Sequence, residues 1–249
     1  MLAEERYEEI LKMVELKGAV TASEITKEIG ASEATIRRDI STLAKAGKLN
    51  KVFGGATKIS GQFLSTENDM RTKLGMKTKE KDAIAKYCAS LISDDDFVYI
   101  DAGSSTLMML DYLRNSKATF VTTGLAQAKK LMLLDLKTFV VGGYLKKQTD
   151  AIIGSETMEA LSKYNFTKAF MGCNGVTLKQ GFTTPDPEEG ATKSKAISKA
   201  EEVYFLADST KFEKICASKI AGVEQATIVT NEIFDEAYKT YAKVKEVTV

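Results

Sequence analysis

Two stretches of this chain carry residue types whose spacing could do chemistry. The first is Ser32-Glu33-Ala34-Thr35-Ile36-Arg37-Arg38-Asp39-Ile40-Ser41, followed by Lys45, Lys48 and Lys51. A guanidinium is planar, permanently charged and able to pair bidentately with guanine or clamp a phosphate, so this cluster suits double-stranded DNA. The second is Asp101-Ala102-Gly103-Ser104-Ser105-Thr106, which follows a strand-like run and opens a helix. Its backbone N–H groups and hydroxyls converge where a phosphate could sit. The same residues also suit a capped strand-to-helix turn, and the run is neither a Walker loop nor a dinucleotide fingerprint.

Other chemistry is excluded by composition. The 249 residues contain no histidine, which removes the commonest general base near neutral pH and the commonest transition-metal ligand. Cys88, Cys173 and Cys216 are too far apart for a zinc knuckle or a redox pair and read as small buried hydrophobes. No metal and no cofactor are expected. No apolar run is long enough to span a bilayer and the amino terminus is acidic and amphipathic, so a cytoplasmic protein without a membrane partner is expected. The formal net charge of +1 hides an asymmetry: residues 1–30 carry four basic and seven acidic groups, residues 31–58 six basic and two acidic.

The elements that must position the first cluster are short helices. Leu2, Tyr7, Ile10, Leu11, Val14 and Leu16 recur at helical spacing up to Gly18, predicting a helix over 3–17. Thr21 and Ser23 are candidate caps of a second helix with Ile25 and Ile29 on its stripe, ended by Gly30. Ser32 then caps a third. At about 100° per residue, Ile36, Ile40 and Leu43 form its buried stripe, and Ala34, Arg38, Ser41 and Lys45, flanked by Thr35 and Arg37, form the opposite, reading face. Asp39 falls at the core edge, placed to orient a neighbouring Arg. Residues 45–56 alternate polar and apolar around Gly47, Gly54 and Gly55, as a small hairpin would, with Lys48 and Lys51 over the phosphate backbone. The order is that of a winged helix-turn-helix. Residues 57–79 are polar and aperiodic and read as a linker, giving a DNA-binding domain over 1–58, a linker over 59–79 and a larger domain over 80–249.

The second cluster needs a sheet. Apolar runs at 97–101, 118–122, 137–141, 168–172, 203–207 and 226–230 alternate with helices, predicting an α/β domain with a mostly parallel sheet covered on both faces. Such sheets bind ligands beyond the carboxyl ends of their strands. Thr122-Thr123-Gly124, Gly142-Gly143, Gly172-Cys173-Asn174-Gly175 and Asp208-Ser209-Thr210-Lys211 all fall there. Asp186, Pro187 and Glu189 read as a capping box, with a role for Glu189 in a ligand site equally open. Lys193, near the start of the same helix and against its dipole, is a candidate phosphate partner.

At residues 32–40 and at Gly54-Gly55-Ala56 the chain resembles the DeoR family of bacterial transcriptional regulators, with Phe53 where that family usually has His. The resemblance extends over essentially the whole chain. It implies a larger domain like ribose-5-phosphate isomerase that binds a phosphorylated sugar, with no enzymatic turnover. The implied effector-site residues are Asp101, Gly103, Ser104, Ser105, Thr106, Thr123, Gly143, Asn174, Thr184, Glu189, Lys193 and Lys211. Ser104-Ser105-Thr106 replaces the family's three threonines, and Gly124 falls near where Asn commonly follows Thr. The implied partners are an operator duplex, a sugar phosphate (fructose 1-phosphate first, tagatose 6-phosphate second) and further copies of the chain as a homodimer or homotetramer. The rival reading is a sugar-phosphate isomerase or coenzyme A transferase on the same fold. That reading needs acidic groups, and Gly172-Cys173-Asn174-Gly175 lacks any group able to take a proton near neutral pH.

Overall fold

A computed structural model of the chain describes residues 2–46, 48–57, 62–64, 68–233 and 235–249. Gly47, Lys58, Ile59, Ser60 and Gly61, used above for the wing and linker, lie outside the described residues. Two compact units are present, Met1–Gln62 and Phe63–Val249.

In the first unit, three helices, Ala3–Lys17, Ala22–Ile29 and Glu33–Lys45, close over one core. Ile10, Val14, Ile25, Ile36, Ile40 and Leu43 are buried in it, so the stripe read from helical phase is the stripe that packs. Leu2 and Leu16 are exposed, because they lie at the helix ends beyond the reach of the other two helices. Thr21 and Ser32 accept backbone N–H groups as caps, from Glu24 and Thr35. The wing is a ribbon of Asn50–Val52 and Gly55–Thr57, and a third strand, Ala19–Thr21, pairs antiparallel with the latter. Three apolar or β-branched residues are too short a run to announce a strand. Gly55 permits that pairing: a Cβ there would stand 2.2 Å from the Val20 carbonyl oxygen.

In the second unit, seven strands form one sheet in the order Lys243–Glu246, Thr227–Thr230, Ala200–Leu206, Phe166–Met171, Phe97–Ile100, Thr119–Thr122, Thr138–Val140. Every neighbouring pair is parallel. The six runs read from sequence are all strands; the seventh, Lys243–Glu246, is a charged edge with no apolar run to reveal it. Alternate side chains enter two cores. Val98, Ile100, Phe120, Phe170 and Leu206 face the helix Thr78–Ser90, whereas Tyr99, Val121, Ala169, Met171 and Phe205 face the side that includes Pro187–Ile197. Two small antiparallel sheets were not legible, one of Tyr144–Lys146 with Ala151–Ile153 and one of Gly175–Thr177, Gly181–Thr184 and Ser218–Ala221. The proposed linker over 59–79 needs correction. From Phe63 on, the chain belongs to the larger unit, and Met70–Gly75 is a helix capped by Asp69. Its single turn and a half is too short for periodicity to show.

Strand order reverses between Phe97–Ile100 and Phe166–Met171: later strands add outward from the first on one side and from the second on the other. The loops leaving these two strands therefore part to opposite faces and open a crevice at their carboxyl ends.

Candidate functional site

On the recognition helix, Arg38 is exposed and makes no ion pair among the described residues. Arg37 is held four residues back by Glu33, at 2.6 and 3.0 Å. Ala34 and Lys45 are exposed beside Arg38, while Ser32 and Thr35 share a hydroxyl–hydroxyl bond of 2.9 Å at the cap. Ser41 donates to the Arg37 carbonyl and receives the Lys51 ammonium at 2.8 Å, which ties the wing to this helix. Lys48 is exposed at the ribbon's base, and Phe53 is fully exposed at its tip. Asp39 is buried and paired with Arg6 of the first helix at 2.9 Å. It orients an Arg, but one that fastens two helices together rather than one that reads DNA.

The crevice of the second unit is built on Asp101. Its carboxylate accepts the Gly172 N–H at 2.9 Å from across the strand reversal and bonds the Lys193 ammonium. Glu189 approaches the same ammonium at 3.4 Å and also pairs with Lys146 at 3.1 Å, which in turn reaches Asp186 at 3.0 Å. Burial alone would drive the Lys193 proton off, but the charges of Asp101 and Glu189 and the Asp101 hydrogen bond outweigh it and raise the lysine above its ordinary value. Lys193 is thus not a free cation. Asp186 caps the helix through the Glu188 and Glu189 N–H groups, yet the Glu189 carboxylate turns to the lysines and to Thr149 instead of closing a capping box.

The loop 101–106 divides its hydroxyls. Thr106 donates to the Asp101 carbonyl and accepts the Gly103 N–H at 3.0 Å, so it closes the turn. Ser104 and Ser105 are more than nine-tenths buried, and their hydroxyls make no protein hydrogen bond among the described residues. The helix they begin, Ser104–Met109, is only six residues long and offers little dipole. Thr123 is engaged by the Tyr99 hydroxyl at 2.8 Å, and Asn174 by Thr184 at 3.1 Å. Gly143, with φ of 148°, lies where a Cβ would meet the Thr157 hydroxyl at 1.9 Å.

Three functional candidates were not found from sequence. Gln127 donates to the Gly103 carbonyl at 2.8 Å, and its own carbonyl oxygen is buried without a partner among the described residues. Its room comes from Gly124, where a Cβ would stand 2.1 Å from that oxygen. Lys146 is the second. The third is Lys81, which is 3% exposed and, among the described residues, hydrogen-bonds the Lys73 carbonyl alone. Burial, aided by the like charge of Lys211, pushes its pKa down to about 8. A signal existed: Lys81, Ile84, Ala85 and Cys88 share one helical stripe, so a lysine occupies a core position. Lys214 is likewise lowered, by burial and then by Lys211. The crevice thus has a side where Lys146 and Lys193 face three carboxylates, Asp101, Asp186 and Glu189, and a basic side where Lys81, Lys211 and Lys214 outnumber Asp208 and Glu80.

The profile of the DeoR-like helix-turn-helix domain matches residues 6–62, and that of the DeoR C-terminal sensor domain matches residues 76–232. The chain is 40% identical over 250 residues to the Bacillus subtilis (strain 168) protein named "Uncharacterized HTH-type transcriptional regulator FruR", covering all of this chain and 99% of that one. It is 30% identical to the lactose phosphotransferase system repressor of Staphylococcus epidermidis, over 96% of this chain and 98% of the relative. Among solved structures, ribose 5-phosphate isomerase A of Methanocaldococcus jannaschii superposes with a TM-score of 0.40 at 16% identity, over 53% of each chain. With both domain profiles in their expected order and relatives named as regulators or repressors along its full length, this chain belongs to the DeoR family of DNA-binding transcriptional regulators.

Proposed function

We propose that the protein represses a carbohydrate-metabolism operon and releases its operator when a phosphorylated sugar binds the strand-end crevice. The observation that carries this reading is the pairing of unmatched groups there: two buried hydroxyls, Ser104 and Ser105, without protein partners among the described residues, and a basic side where Lys81, Lys211 and Lys214 outnumber the carboxylates Asp208 and Glu80. A sugar phosphate supplies what each lacks. Its dianion answers Lys81 and Lys211, and its hydroxyls answer the polar groups around Asp101, Asn174 and Glu189. Fructose 1-phosphate is the first candidate, from the resemblance of the 183–193 run to the fructose operon repressor branch, and tagatose 6-phosphate the second. Relatives named for a sugar phosphotransferase system support the substrate class. A homodimer or homotetramer on repeated half-sites is the expected operator-bound form, since one module reads few base pairs.

The test is a thermal-shift panel of sugar phosphates, the matching free sugars and inorganic phosphate against the full chain. Duplexes enriched from a random pool by the protein are then titrated with each hit. Stabilisation by one sugar phosphate, with loss of duplex binding and no response to the free sugar, supports the proposal. A panel in which no compound stabilises the protein or changes duplex binding sinks it.

A further inference from the structure

The two edges of the seven-stranded sheet are unlike. One, Lys243–Glu246, exposes Lys243, Lys245 and Glu246, the kind of charged guard that stops an edge from pairing with another chain. The other, Thr138–Val140, is apolar and open. Six of the sixteen exposed large hydrophobic residues among those described fall within its fourteen-residue neighbourhood: Met132, Leu133, Phe139, Val140, Tyr144 and Leu145. Their exposures run from 43% to 72%, so together they offer several hundred Å² of apolar surface. That is of the order of the roughly 800 Å² that each partner contributes to a stable interface. Scattered single hydrophobics need no explanation, but six of them on this edge strand and in the elements just before and after it do.

The backbone is poised for the same event. Phe120 donates to the Lys137 carbonyl and Val141 donates to the Thr122 carbonyl, with Phe120 opposite Thr138 and Thr122 opposite Val140. That register turns the N–H and C=O groups of Phe139 inward and those of Thr138 and Val140 outward.

We propose that this edge is the self-association surface of the protein, with a second copy pairing antiparallel about a two-fold axis at Phe139. That axis sets Thr138 opposite the other copy's Val140 and Val140 opposite its Thr138, which satisfies the outward groups of both strands in one step. It brings the two copies of Phe139 together on one face and sets each Val140 beside the other copy's Thr138 on the opposite face. It also carries the two copies of Lys137 to opposite ends of the paired strands, so no like charges are brought together. A second copy fits better than an unrelated partner because the surface is complementary to itself. The inference uses no property of the effector site and stands or falls independently of it.

Sedimentation velocity on the full chain at about 10 μM tests it. Wild type sediments as a dimer or larger, whereas Leu133→Glu combined with Val140→Lys halves the mass or reduces it to the monomer. Leu16→Glu, an equally exposed apolar position in the other unit, leaves the mass unchanged. Independently, Phe139→Cys yields a disulfide-linked dimer on mild oxidation, since the axis makes residue 139 a directly opposed, non-hydrogen-bonded pair with Cα atoms about 4.5 Å apart. A monomeric wild type overturns the proposal. So does a Leu133→Glu, Val140→Lys variant that keeps the wild-type mass, and so does failure of Phe139→Cys to cross-link.

Discussion

Lys81 is a charge placed where its helix would otherwise carry an aliphatic residue, between the packing of Ile84 and Ala85 and the loop at Asp208. Burying an ammonium with one carbonyl for company costs stability, and such costs are tolerated where function needs them. Replacing it with Met should therefore raise the melting temperature at pH 7 by roughly 2–4 °C. The sign with pH follows from its depressed value. Between about 8 and the ordinary lysine range the folded state holds fewer protons than the unfolded one, so the residue becomes less unfavourable as pH rises through that window. The advantage of Lys81→Met should shrink accordingly between pH 7 and pH 10 in parallel melts, and an advantage that grew would show the lysine to be paired. In the same variant, stabilisation by whichever sugar phosphate binds wild type should weaken by about tenfold in affinity, the usual worth of one charge-assisted contact.

The recognition helix and its wing act as one element because Lys51 is bonded to Ser41. Arg38→Ala is expected to weaken binding to an enriched duplex by about tenfold and to relax preference at one base position, with little change in salt dependence beyond a single contact. Lys51→Ala should instead reduce the slope of log affinity against log salt by about one while leaving preference intact. Duplex titrations over a range of KCl concentrations separate the two, and equal losses from both would mean that Arg38 touches only phosphate. This element was almost wholly legible in the sequence. Ser32, Ile36, Ile40 and Leu43 stand in phase, and helical phase is a property of neighbours along the chain. The Arg6–Asp39 pair was half legible: Asp39's place at the core edge followed from phase, but its partner is 33 residues away. In the larger unit the strands were legible as apolar runs and their loops as a group. That Lys193 is neutralised by Asp101, 92 positions earlier, and that Glu189 abandons its capping role for Lys146, depend on contacts that no local pattern encodes.

For the molecule as a whole, effector control of DNA binding is a coupling free energy, and coupling is reciprocal. If a sugar phosphate weakens duplex affinity by some factor, saturating duplex must weaken affinity for that sugar phosphate by the same factor, typically about 5- to 150-fold. Isothermal titration of the effector into free and duplex-bound protein measures both sides of the cycle. An effector affinity indifferent to duplex would remove the switch, even with both sites intact. The absence of histidine bears on what such a switch can hear. Among the described residues, every Asp or Glu whose pKa departs clearly from its usual value departs downward, and burial brings Lys81 down only to about 8. Mild acidification therefore leaves the charge of these groups unchanged, so a switch built on them would answer to a bound ligand and not to a fall in pH.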